Sequence, residues 1–410
     1  LTENLLEQLE KEVGNCINCG FCETVCPTLD PSGFSLWKGA RGRVIMGRTL
    51  LEDKKNGIPV PVLSDSFYSC LDCHACLYVC PAGVNAGKVS QLSRELITTS
   101  SDRRNENPYA RMIVEVTAKY GNPLGVKERS ADWAEGIGFD KNADYLLYTG
   151  NMFQLMPYTK NLNSARKSMG KALSNFMASR VANHPSLIRL LSRMRDRKME
   201  QKNFETLRNI VKLLRISGIR FSYLGEKEPY PGTFIYDLGY IEKFSKYANY
   251  VHSVLKGSGA KKIITVDPHT YDLLKNTFPK FIANFDLEIL YYLDLINIPT
   301  IQDRKEKVVY HEPCHFVLRD PKYSRPFQVL SSTADTALAK RSGNRSRCCG
   351  GPDELTFPEL SEKASQIRYD ELKSTGADLI ITACPICNVN LSKENITMEI
   401  ADYLAARLPS

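Results

Sequence analysis

Through the first hundred residues, apolar side chains recur every three or four positions, the spacing of one helix face. The opening stretch LTENLLEQLEKEVGN is acidic and amphipathic. WKGARGRVIMGRTLLE, from Trp37, predicts a basic amphipathic helix. From about residue 143 the rhythm changes. Short apolar runs alternate with helical stretches: DYLLYT from Asp144, IRFSYL from Ile219, KKIITV from Lys261, KVVYHE from Lys307 and DLIITA from Asp378. Such alternation predicts small parallel sheets with crossover helices. Residues 101–142 are polar and read as a linker with short helices. The expected class is a multidomain α+β and α/β chain: a helical unit at 1–100, the linker, and α/β units at 143–300 and 301–410.

The two α/β units look like copies. DLIITACPICNVNL aligns with KKIITVDPHTYDLL, so Cys384 corresponds to Asp267 and Cys387 to Thr270. Tyr230-Pro231-Gly232 stands opposite Cys348-Cys349-Gly350, and 35 residues separate Pro231 from Asp267 against 34 in the second copy. Asn151 falls opposite Cys314. Copy one has kept the pattern and lost every cysteine. It also carries an insertion at about 155–215: 78 residues separate Asn151 from Tyr230, against 33 in copy two.

Size and composition change this picture little. At about 150 residues per domain, 410 residues hold two or three domains, and 43% hydrophobic content supplies their cores. No apolar run reaches the length of a membrane span, and the N-terminus lacks the layout of a secretory signal. Charge is more telling. The net +8 is local: Lys160 to Arg215 holds 14 Lys and Arg against Asp196, Glu200 and Glu205. SLIRLLSRMRDRK in that stretch predicts a cationic helix, either a solvated face or a dock for an acidic partner or anionic membrane. No nucleic-acid-reading motif accompanies the charge, so nucleic acid is excluded as a partner.

The chemistry lies in thirteen cysteines. Cys16, Cys19, Cys22 and Cys26, then Pro27, fit C-x2-C-x2-C-x3-C-P; so do Cys70, Cys73, Cys76 and Cys80, then Pro81. Three closely spaced thiolates wrap one cubane and the fourth reaches to its neighbour. Cys16, Cys19, Cys22 and Cys80 are therefore expected on one [4Fe–4S] cluster, and Cys70, Cys73, Cys76 and Cys26 on the other. Four cysteines in eleven residues, twice, suit zinc poorly. His74 is a loop residue or a tuning hydrogen-bond donor. Cys314, Cys348, Cys349, Cys384 and Cys387 remain, with 33, no, 34 and two residues between them. Five thiolates exceed what one cubane accepts. An opened multi-iron cluster, a zinc site with spare thiols and a redox disulfide all fit this count. His315, in YHEPCH with His311 and Glu312 nearby, is the candidate proton donor.

The pattern Cys314…Cys348-Cys349-Gly350…Cys384-Pro385-Ile386-Cys387 resembles the CCG domain of heterodisulfide reductase and its relatives. The double-cubane unit before tandem CCG units resembles the family of the reductase's D subunit, and loss of one thiol set is most like the K subunit of sulfite-reduction-associated membrane complexes. The resemblance implies an α-helical ferredoxin with two cubane clusters and a noncubane [4Fe–4S] cluster on the last five cysteines. It implies an oxidoreductase subunit that reduces or oxidises a disulfide or trisulfide, free or carried on a small protein. It implies a membrane b-type cytochrome or other redox subunits as partners. The expected location is cytoplasmic, peripheral on the inner membrane face through such a partner. The alternative is the iron–sulfur subunit of a flavin-dependent 2-hydroxy acid or glycerol-3-phosphate dehydrogenase that feeds quinone. Thiolate-bound clusters are oxygen-labile, so a low-oxygen setting is expected.

Overall fold

The computed structural model describes residues 2–57, 64–100, 105–125, 130–191, 194–297 and 306–407. The N-terminal part is helical. Helices Thr2–Gly14, Ala40–Lys55 and Ala86–Thr98 pack on one another. Leu9, Val13, Val44, Leu50, Val89, Leu92 and Leu96 form their core. The basic helix after Trp37 differs from expectation at one residue. Arg43 points inward and is buried, because Ser66 O (2.8 Å), Ser69 O (2.9 Å) and Thr28 Oγ1 (3.0 Å) receive its guanidinium. A buried cation with every contact a hydrogen-bond acceptor is tolerated.

The segment read as a linker holds the helix Pro108–Tyr120. Asn107 caps it, accepting from Tyr109 N and Ala110 N. Its face of Met112, Ile113, Val114 and Val116 is buried, and it packs along the long helix Met152–Asn183. It is thus a packed element of the fold. That long helix leads into the expected insertion and connects to Arg197–Ile216.

Two four-stranded parallel sheets follow. The first contains β1 (Tyr145–Tyr148), β2 (Phe221–Tyr223), β3 (Lys262–Thr265) and β4 (Glu288–Tyr291), in the order β2-β1-β3-β4. The second contains β5 (Lys307–His311), β6 (Asp335–Leu338), β7 (Leu379–Thr382) and β8 (Thr397–Glu399), in the order β6-β5-β7-β8. The order is the same in both. Register matches too: Tyr148 pairs with Thr265 at the end of β1–β3, and His311 with Thr382 at the end of β5–β7. All five strand runs read from the sequence are strands here. Central strands β3 and β7 are almost wholly buried, as parallel strands with both faces covered must be.

Candidate metal centres

The first two thiol sets lie at the helical end. Cys26, Cys70, Cys73 and Cys76 line one small cavity, with Arg43, His74 and Gly87 among its other walls. Arg43 Nη1 lies 3.6 Å from Cys26 Sγ. Cys26, from the first motif, thus sits with three cysteines of the second. Cys26, Cys16 and Cys80 all lie close enough to Cys22 to act on its thiol. Burial, then Glu23, then these cysteines push that thiol up to about 12. Val84 N donates to Cys80 Sγ at 3.2 Å. Thiols this hard to ionise alone are suited to a positively charged metal core, which ionises what it binds. Cys19 alone of the thirteen is exposed.

The last five cysteines converge at the C-terminal ends of β5 and β7, where parallel sheets place their sites. Cys314 stands three residues beyond β5, and Cys384 two beyond β7, at the cap of the helix Pro385–Leu391. All five are buried. Contacts run from Cys314 to Cys348, to Cys349, to Cys387 and to Cys384. Cys348 and Cys387 donate to the Cys349 sulfur and lower its pKa to about 6. Gly350 takes φ +86°, and a Cβ there would lie 2.7 Å from Ser361 O. At Gly351 a Cβ would lie 2.1 Å from Ile386 Cγ2. The glycines are required by this close approach of backbone. A donor set of five clustered, buried thiols, two of them vicinal, fits a multi-iron sulfur cluster better than one tetrahedral ion.

His311 also faces this group. One of its ring nitrogens lies within 4.8 Å of the Cys349 and Cys387 sulfurs. Arg368 Nε donates to His311 Nδ1 at 3.1 Å, and Nε2 has no partner among the described residues. That bond fixes the tautomer: Nε2 carries the hydrogen and can donate it. Burial, then the Arg368 charge, push the imidazole well below its usual pKa. His315 points elsewhere. Its Nδ1 lies 2.8 Å from Asp272 Oδ2, and its ring lies against that of His269, centroids 3.9 Å apart and tilted by 38°. Glu312 accepts from Gly343 N at 2.8 Å. His74 lies 3.0 Å from Asp72 Oδ1 at the other centre.

The two thiol regions touch. Cys73 packs in one cluster with Cys314, Cys348, Val25, Leu71 and Leu318. A buried ionic bridge runs beside them. Arg319 Nη2 donates to Asp72 O (2.8 Å) and Oδ2 (3.0 Å), and Nη1 donates to Asp272 Oδ2 (3.1 Å). Burial opposes ionisation of both carboxyls, yet Arg319, together with His74 at Asp72 and His315 at Asp272, outweighs it and holds them well below the usual range. Asp72 lies within the second cysteine motif, Asp272 in copy one and Arg319 in copy two. Arg347, beside Cys348, pairs with Asp30 of the helical part. Sequence reasoning missed Asp72, Asp272, Arg319 and Arg368. None lies in a motif of its own, and their meeting depends on packing.

In copy one the matching positions do structural work. Asn151 stands three residues beyond β1, and Asp267 two beyond β3. Asp267 Oδ1 accepts from Thr270 N at 2.9 Å and caps the helix Pro268–Asp272. Tyr230 lies 2.7 Å from Thr233 Oγ1 through its hydroxyl, and Gly232 takes φ +95°, as Gly350 does in copy two. Asn151 Nδ2 donates to Glu228 O at 3.3 Å. Between the copies lies a narrow apolar cavity. Leu155, Met156 and Phe234 wall it from copy one, Gly351, Pro352 and Ile386 from copy two.

Fold and thiols together define an iron–sulfur electron-transfer protein: a helical dicluster unit wired to a cysteine-rich α/β unit. Residues 12–84 match the family described as 4Fe-4S dicluster domain, and residues 308–392 match the cysteine-rich domain family, CCG. The D subunit of the dihydromethanophenazine:CoB–CoM heterodisulfide reductase of Methanosarcina barkeri is 25% identical over 95% of this chain and 91% of its own. The probable glycolate oxidase iron–sulfur subunit of Bacillus subtilis is 24% identical over 92% of this chain and 88% of its own. A crystal structure of a hypothetical protein from Helicobacter pylori superposes with a TM-score of 0.51 at 11% identity, covering 100% of this chain and 74% of that one, and so shares the fold. The chain thus carries a 4Fe-4S dicluster domain and a CCG domain, and over nearly its whole length it is similar to D subunits of heterodisulfide reductase.

Proposed function

We propose that this protein is the iron–sulfur subunit of a heterodisulfide-reductase-like complex. Cys16, Cys19, Cys22 and Cys80 would hold one cubane, Cys26, Cys70, Cys73 and Cys76 a second, and Cys314, Cys348, Cys349, Cys384 and Cys387 a noncubane cluster. When bound, such clusters supply one-electron transfer and an iron to which a substrate sulfur can attach. The contact of Cys73 with Cys314 and Cys348 carries this reading, because it links the second cavity directly to the five-thiol group. Exposed Cys19 marks the end at which a partner would exchange electrons. By the family's pattern that partner is a membrane b-type cytochrome or another redox subunit, which would hold the protein peripherally on the inner membrane face. No helix among the described residues is long and apolar enough to cross a membrane itself.

Splitting an S–S bond takes two electrons and two protons. The apolar cavity beside Gly351 and Ile386 is the place at which a disulfide or trisulfide would approach the five-thiol group. His311 lies beside the sulfurs, and its Nε2–H, free of other partners among the described residues, would stabilise a departing thiolate by donating to it. His315, held by Asp272, would orient the turn that bears Cys314. The likeness to a glycolate oxidase iron–sulfur subunit favours a second reading, in which the same three centres relay electrons from a flavin dehydrogenase towards quinone. The two separate on one experiment. Anaerobically reduced protein is mixed with a small thiol or disulfide, and its paramagnetic spectrum is recorded. Disulfide chemistry predicts a new signal that Cys349→Ser abolishes. An unchanged spectrum contradicts that chemistry and leaves the relay.

A further inference from the structure

The insertion in copy one has no task in the redox reading. In the helix Met152–Asn183, residues 152–159 are buried in the core. The helix then kinks at Gly170, with φ 74°. Beyond the kink, Ser174, Ala178, Val181 and Ala182 face inward. The opposite face presents Leu173, Phe176 and Met177, which are 52%, 58% and 44% exposed. These fall at helical spacing on one side. Met169 before them and Leu187 after them are exposed as well. Large apolar side chains gathered on an exposed helix face mark a contact surface.

The charge around this face says what covers it. From Tyr145 to Arg195 the chain contains eight Lys and Arg and no Asp or Glu. Arg180 lies over the Phe176 ring, 5.9 Å from its centroid, where the exposed apolar face meets its cationic flank. Lys167 and Lys171 are paired with Glu362 and Asp65 on the protein side, whereas Lys160 and Arg180 are exposed. An exposed apolar strip flanked by Arg180, on a segment that itself carries no acid, is complementary to acyl chains beneath anionic headgroups.

We propose that the face formed by Leu173, Phe176, Met177 and Arg180 docks directly on an anionic bilayer. The apolar side chains enter the headgroup boundary, and Arg180 and its cationic neighbours meet the phosphates. The chain thus contributes its own lipid contact, beyond any attachment through a partner subunit, and this contact does not depend on the redox substrate. The test is flotation of the full-length, cluster-loaded protein with vesicles. It should float with mixed phosphatidylcholine–phosphatidylglycerol vesicles, less so as salt is raised, and not with phosphatidylcholine alone. The double substitution Leu173→Asp, Phe176→Asp should weaken binding by roughly tenfold or more, and Arg180→Glu by several-fold. Both alter exposed positions, so unchanged iron content and circular dichroism confirm that folding is intact. Failure of the wild type to float with anionic vesicles overturns the proposal, as does equal flotation of the double variant. If the double variant instead loses a co-purifying protein while vesicles are ignored, the face belongs to a protein and the proposal fails.

Discussion

The two α/β halves share strand order, register and the left-handed glycine of the loop that leads to each site, yet one gathers five thiols and the other none. At each lost ligand position the metal-free half has a residue suited to the same backbone. Asp267 caps the helix that Cys384 begins in the other half. Tyr230 and Gly232 hold the loop that Cys348 and Gly350 hold. Glu228 N-terminal to that loop accepts from Thr149 N at 3.0 Å. The lesson is that this scaffold does not need its metal in order to fold. The metal-free half is retained for position: it supplies Asp272 to the bridge and one wall to the apolar cavity.

Substitutions can break this comparison. The largest effect is expected at Cys349→Ser, which should remove the third centre and about four of about twelve iron per chain. Asp267→Ser, at a lost ligand position, should leave the iron content unchanged; an anaerobic iron assay distinguishes the two. Asp272→Ala comes next. It removes one of the two carboxylates that Arg319 meets and leaves Asp72, so the buried donors left without an acceptor should cost about 1–3 kcal/mol, read from a denaturant transition. If Asp272 also sets the geometry between the centres, magnetic coupling between their reduced forms should change in protein of unaltered iron content.

Glu228 provides a pH signature confined to the metal-free half. Burial raises its pKa to about 8, against the hydrogen bonds from Thr149 that lower it. The folded state therefore favours the protonated carboxyl. Its contribution to stability is complete below the unfolded pKa near 4.5 and is lost as pH rises through 8. Glu228→Gln should flatten that decline, so the variant gains on the wild type most at pH above 8; parallel melting curves against pH would refute this. The smallest effect is at the cap. Asp267→Ala removes an acceptor from Thr270 N and should cost about 1 kcal/mol, measured by thermal unfolding.

Much of this arrangement was legible in the sequence. KKIITV and DLIITA announced β3 and β7 because a buried parallel strand is a short apolar run. The cysteine spacing set Cys26 apart from its own motif, and Cys26 lies with Cys70, Cys73 and Cys76. β4, β6 and β8 were not read out. β6 is an exposed edge with the sequence DTAL, and β8 spans three residues, too few for any period. The choice of histidine also eluded the pattern. His315 follows a cysteine in sequence but lies a helical step round from it, and so meets Asp272. His311, at the end of β5, projects among the thiols because strand ends, not helix neighbours, converge on the site. The bridge Asp72–Arg319–Asp272 joins residues about 200 and 47 positions apart in sequence (Asp272 to Asp72 and Arg319 to Asp272), which no local pattern encodes.

The central claim is an iron–sulfur centre among Cys314, Cys348, Cys349, Cys384 and Cys387. Anomalous diffraction at the iron and zinc edges, from crystals grown without oxygen, tests it most directly. The account predicts a compact group of iron peaks bounded by those five sulfurs, within reach of His311 and next to a second group at Cys73. A zinc-edge peak there, or none at either edge in protein whose other two centres are full, would contradict it.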